Sequence, residues 1–182
     1  LVVDEAFIDF VPEDDRNFLL RKATSENGRC ILIRSLTKCL AVPGIRIGYA
    51  IGPRKFIQRL SSFSPPWSIN VLGQLVLENL RELYPSFLWG LGKLSNERDF
   101  LRRELEKLES LKVFPSWANF LLCKLKNITS KELKERLLSR RILIRDCSDF
   151  RGLGETFIRV AIRRRKENLR LIEALKEVLS EV

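Results

Sequence analysis

Short apolar runs separated by turn residues open the chain, and longer amphipathic stretches close it. Leu1-Val2-Val3, Cys30-Ile31-Leu32-Ile33 and a run ending at Ile51 are too short for helices and read as strands, the second as a buried one. Ser64-Pro65-Pro66-Trp67 then interrupts the pattern, because paired prolines permit neither a regular helix nor a central strand. Beyond Asn70 the period becomes helical. Leu94, Leu101, Leu105 and Leu108 recur among charged residues, so this segment buries one stripe and solvates the rest. Thr129-Ser130-Lys131-Glu132 has the form of a capping box ahead of Leu133 and Leu137. Strands are predicted at 119–124, 141–145 and 156–162, followed by a last helix carrying Leu169, Ile172, Leu175 and Leu179. The pattern divides the chain into residues 1–68, rich in strands, and 69–182, an alternating α/β region. It contains no internal repeat and no low-complexity segment.

Chemistry gathers at the strand ends. Asp4 closes the first strand, the edge at which open α/β sheets place their ligands. An acid there can keep a pyridine nitrogen protonated and make the ring an electron sink, although a helix cap or turn residue is the ordinary alternative. Ser35-Leu36-Thr37-Lys38 follows the second strand directly, and Arg46 lies within Pro43-Gly44-Ile45-Arg46-Ile47-Gly48-Tyr49. A lysine forms an imine with an aldehyde only when its amine is neutral part of the time, and nearby positive charge favours that form. Hydroxyls and a guanidinium suit a phosphate, the guanidinium as a bidentate fork. Alone, the SLTK segment reads as a solvated loop. An aspartate at one strand end, a lysine at the next and an arginine in the third make coincidence a poor explanation.

The order VVDEAF, RSLTK, VPGIRIGY resembles the second half of a fold-type I pyridoxal-phosphate enzyme of the aminotransferase superfamily. PPWSIN at 65–70, RILIRDCSDF at 141–150 and FIRVAIR at 157–163 are more similar to its threonine-phosphate decarboxylase branch than to the sister histidinol-phosphate aminotransferases. The resemblance implies an α/β fold in which residues 1–68 complete the large cofactor-binding domain and 69–182 form the small C-terminal domain. It implies pyridoxal 5'-phosphate as cofactor, carried by Lys38, with Asp4 facing the ring nitrogen and Ser35, Thr37 and Arg46 around the phosphate. It makes Arg159 the ligand of the substrate carboxylate and Arg145 that of a distal phosphate. Phe7 stands where many aminotransferases have tyrosine, so a phenol that would bond the ring oxygen is absent.

The expected reaction is decarboxylation of L-threonine O-3-phosphate on the route to cobalamin, by a cytoplasmic homodimer, with aminotransfer from histidinol phosphate as the alternative. The glycine-rich phosphate loop, the ring-stacking aromatic residue and an asparagine of such enzymes belong to an N-terminal half and are not in this sequence. The chain is accordingly expected to be a fragment, binding cofactor weakly or not at all and inactive by itself.

Charge adds a reading from another class. There are 33 Lys and Arg against 23 Asp and Glu, a net +10, which invites a basic domain that binds nucleic acid or a protein partner. The basic residues are mixed with acids, as in Glu104 to Lys107 and Lys131 to Arg136, which fits solvated helix faces and leaves nucleic acid unexpected. Part of the excess suits a phosphorylated cofactor and a phosphorylated amino acid. Cys30, Cys39, Cys123 and Cys147 have no CxxC spacing and the chain has no histidine, so no metal site is predicted and a reducing compartment is. No apolar run approaches the length of a membrane span. For Arg159 the competing reading is a surface arginine on the polar face of its strand, and for Arg145 an ion pair with Asp146.

Overall fold

The computed structural model describes residues 1–12, 16, 20–24 and 28–181. They fall into two compact units, Leu1–Gly90 and Leu91–Val182.

The first unit is built on a sheet ordered β1-β2-β3, from β1 Val2–Asp4, β2 Ile31–Ser35 and β3 Gly48–Ile51. β1 and β2 run parallel and β3 antiparallel to β2. The helix α1 Leu20–Thr24 lies between β1 and β2 in the chain, and its Ala23 packs with Cys30 and fully buried Leu32. Ile33 departs from the reading of a buried run, being 46% exposed. Side chains alternate along a strand, so Ile33 shares the face of Ile31, which is buried while Ile33 is not.

A single turn, α2 Leu36–Cys39, follows β2 directly. Its Leu36 and Cys39 cluster with Ile47. After α3 Arg54–Ser61 the proline pair stops regular structure as expected, and Trp67 takes a left-handed φ of 61°. Asn70 then caps α4 Val71–Glu78, its side chain accepting from the Gly73 N–H at 2.9 Å. The next helix, α5 Leu80–Leu105, contains the division between the units.

In the second unit, β4 Leu111–Val113, β5 Phe120–Leu125, β6 Arg145–Asp146 and β7 Phe157–Ala161 form an antiparallel sheet ordered β4-β5-β7-β6. Strict alternation puts Leu121, Cys123 and Leu125 of β5 and Ile158 and Val160 of β7 into the core. Leu101 and Leu105 of α5, Leu133 and Leu137 of α6 Ser130–Ser139, and Leu175 and Val178 of α7 Arg165–Ser180 cover them. Burying each such leucine contributes about 1.5–3 kcal/mol, which is why the leucine stripes determine how these helices dock. Leu94 and Leu108 pack at the margin of this core. Thr129 caps α6, accepting from the Glu132 N–H at 3.2 Å, while the Glu132 carboxylate pairs with Arg136 at 2.7 Å.

Three further features differ from expectation. β4 was not anticipated, and of the strand expected over 141–145 only Arg145 pairs, together with Asp146. The C-terminal turn of α6 claims the preceding backbone: Arg141 N–H bonds Leu138 O at 2.8 Å, Ile142 N–H bonds Leu137 O at 2.9 Å, and Arg141 has a φ of 58°. Leu169 is 42% exposed, and the neighbouring Asn168 is fully buried instead. Asn168 accepts from the Arg163 N–H at 2.9 Å and donates to Arg163 O at 2.8 Å and to Glu97 Oε2 at 2.9 Å. Among the described residues no helix is long and apolar enough to cross a membrane.

Candidate active site

Parallel pairing sets the C-terminal ends of β1 and β2 at one edge of the sheet. Asp4 ends β1 opposite Ile33, and Ser35 ends β2. Because β3 runs back with Gly48 opposite Ser35, Arg46 just before it lies at that same edge. The topology therefore gathers Asp4, Ser35, Thr37, Lys38 and Arg46 in one region of the first unit.

Local contacts orient this region. The Leu36 N–H bonds Ile47 O at 3.1 Å, fastening the lysine-bearing turn to the segment before β3. Leu36, Thr37 and Cys39 are buried while Lys38 is half-buried, and its Nζ lies 4.8 Å from the centroid of the Phe7 ring. The hydroxyls of Ser35 and Thr37 are 2.7 Å apart. One hydrogen is spent between them, which leaves the other to be donated to an external acceptor. Asp4 is exposed, and its Oδ1 accepts the Ala6 N–H at 2.9 Å.

Two non-glycine residues in left-handed conformation, Ala41 (φ 55°) and Arg46 (φ 56°), bracket the loop into β3. Each costs about 1–2 kcal/mol, so the loop is held against its own preference. The holding contacts are Val42 N–H to Thr37 O at 3.0 Å and Asn70 Nδ2 to Ile45 O at 3.0 Å. The Arg46 guanidinium is exposed and donates to Pro43 O at 3.2 Å. At Gly48 a Cβ would stand 2.5 Å from Arg34 O, so only glycine allows β3 to approach β2 here.

Two neighbours escaped the sequence reading. Glu5 and Arg34 form a buried ion pair, Nε to Oε2 at 2.8 Å, on the residues flanking Asp4 and Ser35. Its only trace in the sequence is the acidic residue after Asp4 and the basic one before Ser35, which say nothing of register. The second is the Cys39 thiol beside Lys38. Burial, then the charge and hydrogen bond of Asp9, push it up to about 11, so it stays protonated at neutral pH and does not compete as a nucleophile.

Arg145 and Arg159 belong to the second unit, where the β6–β7 register sets them opposite one another. Arg159 is half-buried over the Phe120 ring, 4.6 Å from its centroid, on the face of β7 opposite the core residues Ile158 and Val160. Arg145 lies over the Phe150 ring and pairs with Asp149, not with Asp146. Asp146 instead accepts from Ser130 Oγ at 2.7 Å and from the Ser148 N–H at 2.9 Å, bonds that hold its carboxyl below the usual carboxylate range.

The sequence profile of the family described as aminotransferase class I and II matches residues 1–175. The chain belongs to this family. Among aminotransferase-family relatives, the threonine-phosphate decarboxylase of Salmonella typhimurium is 37% identical over 187 residues, covering 99% of this chain and 49% of the relative. An adenosylcobalamin-biosynthesis bifunctional protein of Leptospira interrogans is 34% identical over 180 residues, covering 97% of this chain and 20% of the relative. The histidinol-phosphate aminotransferase structure from Clostridium acetobutylicum superposes with a TM-score of 0.90 at 34% identity, covering 100% of this chain and 54% of that one. The L-threonine-O-3-phosphate decarboxylase structure from Porphyromonas gingivalis gives 0.83 at 29% identity, covering 98% and 55%. The chain thus spans about half the length of the threonine-phosphate decarboxylase and of both structures, and a fifth of the bifunctional protein, and its fold is that of the fold-type I pyridoxal-phosphate enzymes, as its motifs implied.

Proposed function

We propose that this chain forms part of a pyridoxal 5'-phosphate-dependent carboxy-lyase acting on L-threonine O-3-phosphate, with aminopropanol phosphate and carbon dioxide as products. The observation that carries the reading is the placement of Lys38, the Ser35–Thr37 hydroxyl pair and Asp4 at one strand edge, in a chain 37% identical to a threonine-phosphate decarboxylase. The likeness to an adenosylcobalamin-biosynthesis protein supports the cobalamin route.

The donor set fits the cofactor: one half-buried amine, two hydroxyls with a hydrogen to give, an exposed guanidinium and an exposed carboxylate. When bound, the cofactor supplies an aldehyde for an amine and a ring that takes up the electrons released as a bond to the substrate α-carbon breaks. Lys38 provides the amine. Asp4 holds a proton at the ring nitrogen, and Arg46 and the one free hydroxyl hydrogen of the Ser35–Thr37 pair donate to the phosphate. Phe7 keeps an apolar face beside Lys38 and has no hydroxyl to offer the ring oxygen. Arg159 binds the substrate carboxylate and Arg145 the distal phosphate. Arg159 would orient the substrate carboxylate, and that orientation would decide between loss of carbon dioxide and aminotransfer.

A second reading within the same chemistry is aminotransfer from histidinol phosphate to an oxoacid, which the superposition on a histidinol-phosphate aminotransferase favours. Product analysis separates the two: carbon dioxide release from threonine phosphate without an oxoacid acceptor supports the lyase. The reading includes a cytoplasmic homodimer. Exposed apolar side chains of the first unit, Phe63, Trp67 and Val71 among them, support an interface there.

The decisive experiment is hydride reduction of the cofactor-loaded protein, made as its gene encodes it, followed by peptide mass spectrometry. Cofactor fixed on Lys38, and lost in Lys38→Ala, is expected. Label on another lysine ends the assignment.

A further inference from the structure

We propose that the buried ion pair between Glu5 and Arg34 is a positioning device, fixing the strand end that carries Asp4 against the one that carries Ser35, Thr37 and Lys38. The inference rests on the reading of Asp4 and Lys38 given above, and it assigns a role to residues outside the proposed set of cofactor and substrate ligands.

Connectivity is the first argument. Glu5 follows Asp4, and Arg34 precedes Ser35. The Glu5 N–H donates to Ile33 O at 2.8 Å, extending the β1–β2 ladder by one bond beyond the last paired residue of β1. At that point Arg34 Nε donates to Glu5 Oε2 at 2.8 Å, with the side chains 11% and 6% exposed. From the other side, Arg34 pairs with Tyr49 of β3, and its carbonyl oxygen is the atom that Gly48 approaches too closely for any Cβ. Arg34 is therefore gripped by a side-chain bond from the residue that follows β1 and by backbone contact from β3, one residue before the site begins.

Energetics is the second. Two buried opposite charges contribute little more than an apolar pair of the same volume would, because both must be desolvated. Arg34 is a poor choice for stability alone, since its Nη2 is buried with no hydrogen-bond partner among the described residues. Burial, the largest influence, works against the Arg34 charge, but the hydrogen bond and charge of Glu5, with the neighbouring Tyr49, outweigh it, so the Arg34 guanidinium stays charged. What an ionised, directional pair supplies and an apolar one does not is a fixed distance between the two strand ends.

The test separates position from stability. In the double variant Glu5→Met/Arg34→Met an apolar pair replaces the ionic one. Its melting temperature is expected within about 3 °C of the parent, since similar volumes are exchanged. Amide hydrogen exchange in cofactor-free protein should be about tenfold faster at Glu5 and at Leu36, whose N–H reports the fastening of the lysine turn, and unchanged at Ile162 in the second unit. Cofactor affinity, read by absorbance titration, should fall by about the same factor. Exchange and affinity both within twofold of the parent would overturn the proposal. Should the double variant fail to fold, Glu5→Asp, which keeps the charge and shortens the reach, decides in the same way: exchange at Glu5 and Leu36 must rise, and an unchanged rate rejects the device. If hydride reduction of the parent labels no lysine, the site reading fails by itself, while the exchange rates still show whether the pair locks the strands.

Discussion

Arg145 lies directly across from Arg159 in the antiparallel pair of β6 and β7. Like charges opposite one another on neighbouring strands repel, and each guanidinium here is steadied by an aromatic face, Phe150 for Arg145 and Phe120 for Arg159. Such a pair suits a molecule with two anionic ends. Arg145→Ala should therefore erase the preference for a phosphorylated amino acid over its unphosphorylated form, whereas Arg159→Ala should weaken every amino-acid substrate. Lysine at either position should rescue only partly, lacking the planar fork. Values of kcat/KM for threonine phosphate, threonine and histidinol phosphate check this, and an unchanged phosphate preference in Arg145→Ala removes that residue from the site.

Asp4 and Arg46 should fail in different ways. Asp4→Asn is expected to lower kcat far more than cofactor affinity, because the ring loses its proton partner and not its anchor. Arg46→Ala should chiefly loosen the cofactor, by about 1.5–3 kcal/mol for a charge-assisted contact. Arg46→Gly loses the same contact yet relaxes the left-handed backbone at φ 56°, so it should melt above Arg46→Ala. Equal effects of Asp4→Asn and Arg46→Ala on affinity, with kcat untouched, would refute the division of roles.

Gly48→Ala tests the close approach of β3 to β2. The new Cβ would meet Arg34 O at 2.5 Å, a backbone atom that cannot swing aside, and a loss of about 1–3 kcal/mol is expected by urea denaturation. Gly44→Ala, with nothing within 4 Å of the added atom, is the control and should change stability by less than about 1 kcal/mol. Equal stability of the two variants would contradict the register at Ser35.

Cys123 gives the fold an alkaline limit. Burial pushes its thiol up to about 12, against an ordinary value of 9.0. Its folded-state value is raised, so its contribution is fully present below pH 9. It is lost as the unfolded chain ionises and the folded one does not, up to about pH 12. In that window the parent should lose about 1.4 kcal/mol per pH unit more than Cys123→Ala does. Denaturation curves between pH 8 and 10.5 measure the difference, and parallel slopes would show that the thiol is not protected.

What the sequence carried was local. The three short strands, the proline break, the Asn70 and Thr129 helix starts and the residues at the strand ends all announce themselves within a few positions. Pairing across the chain did not. Glu5 and Arg34 are 29 residues apart, and only the parallel register of β1 and β2 makes them partners. Asp146 looked like the partner of Arg145 because it is adjacent in sequence. Neighbours in a strand point to opposite faces, so Asp149, beyond the strand, takes the guanidinium. The expected strand at 141–145 failed for a related reason: apolar side chains at 142–144 satisfied the strand pattern, while the end of α6 had already engaged the backbone of Arg141 and Ile142.

Asn168 shows what a buried polar residue adds to an apolar core. Sliding α7 by one turn along the sheet would preserve much of its greasy contact, since Leu171, Ile172, Leu175, Val178 and Leu179 are broadly interchangeable as fillers. The same slide would strand an amide that now satisfies both backbone groups of Arg163 and the Glu97 carboxylate. Misdocked helices are thus penalised and not merely less favoured, so a residue contributing no apolar area decides which of several near-equal packings survives.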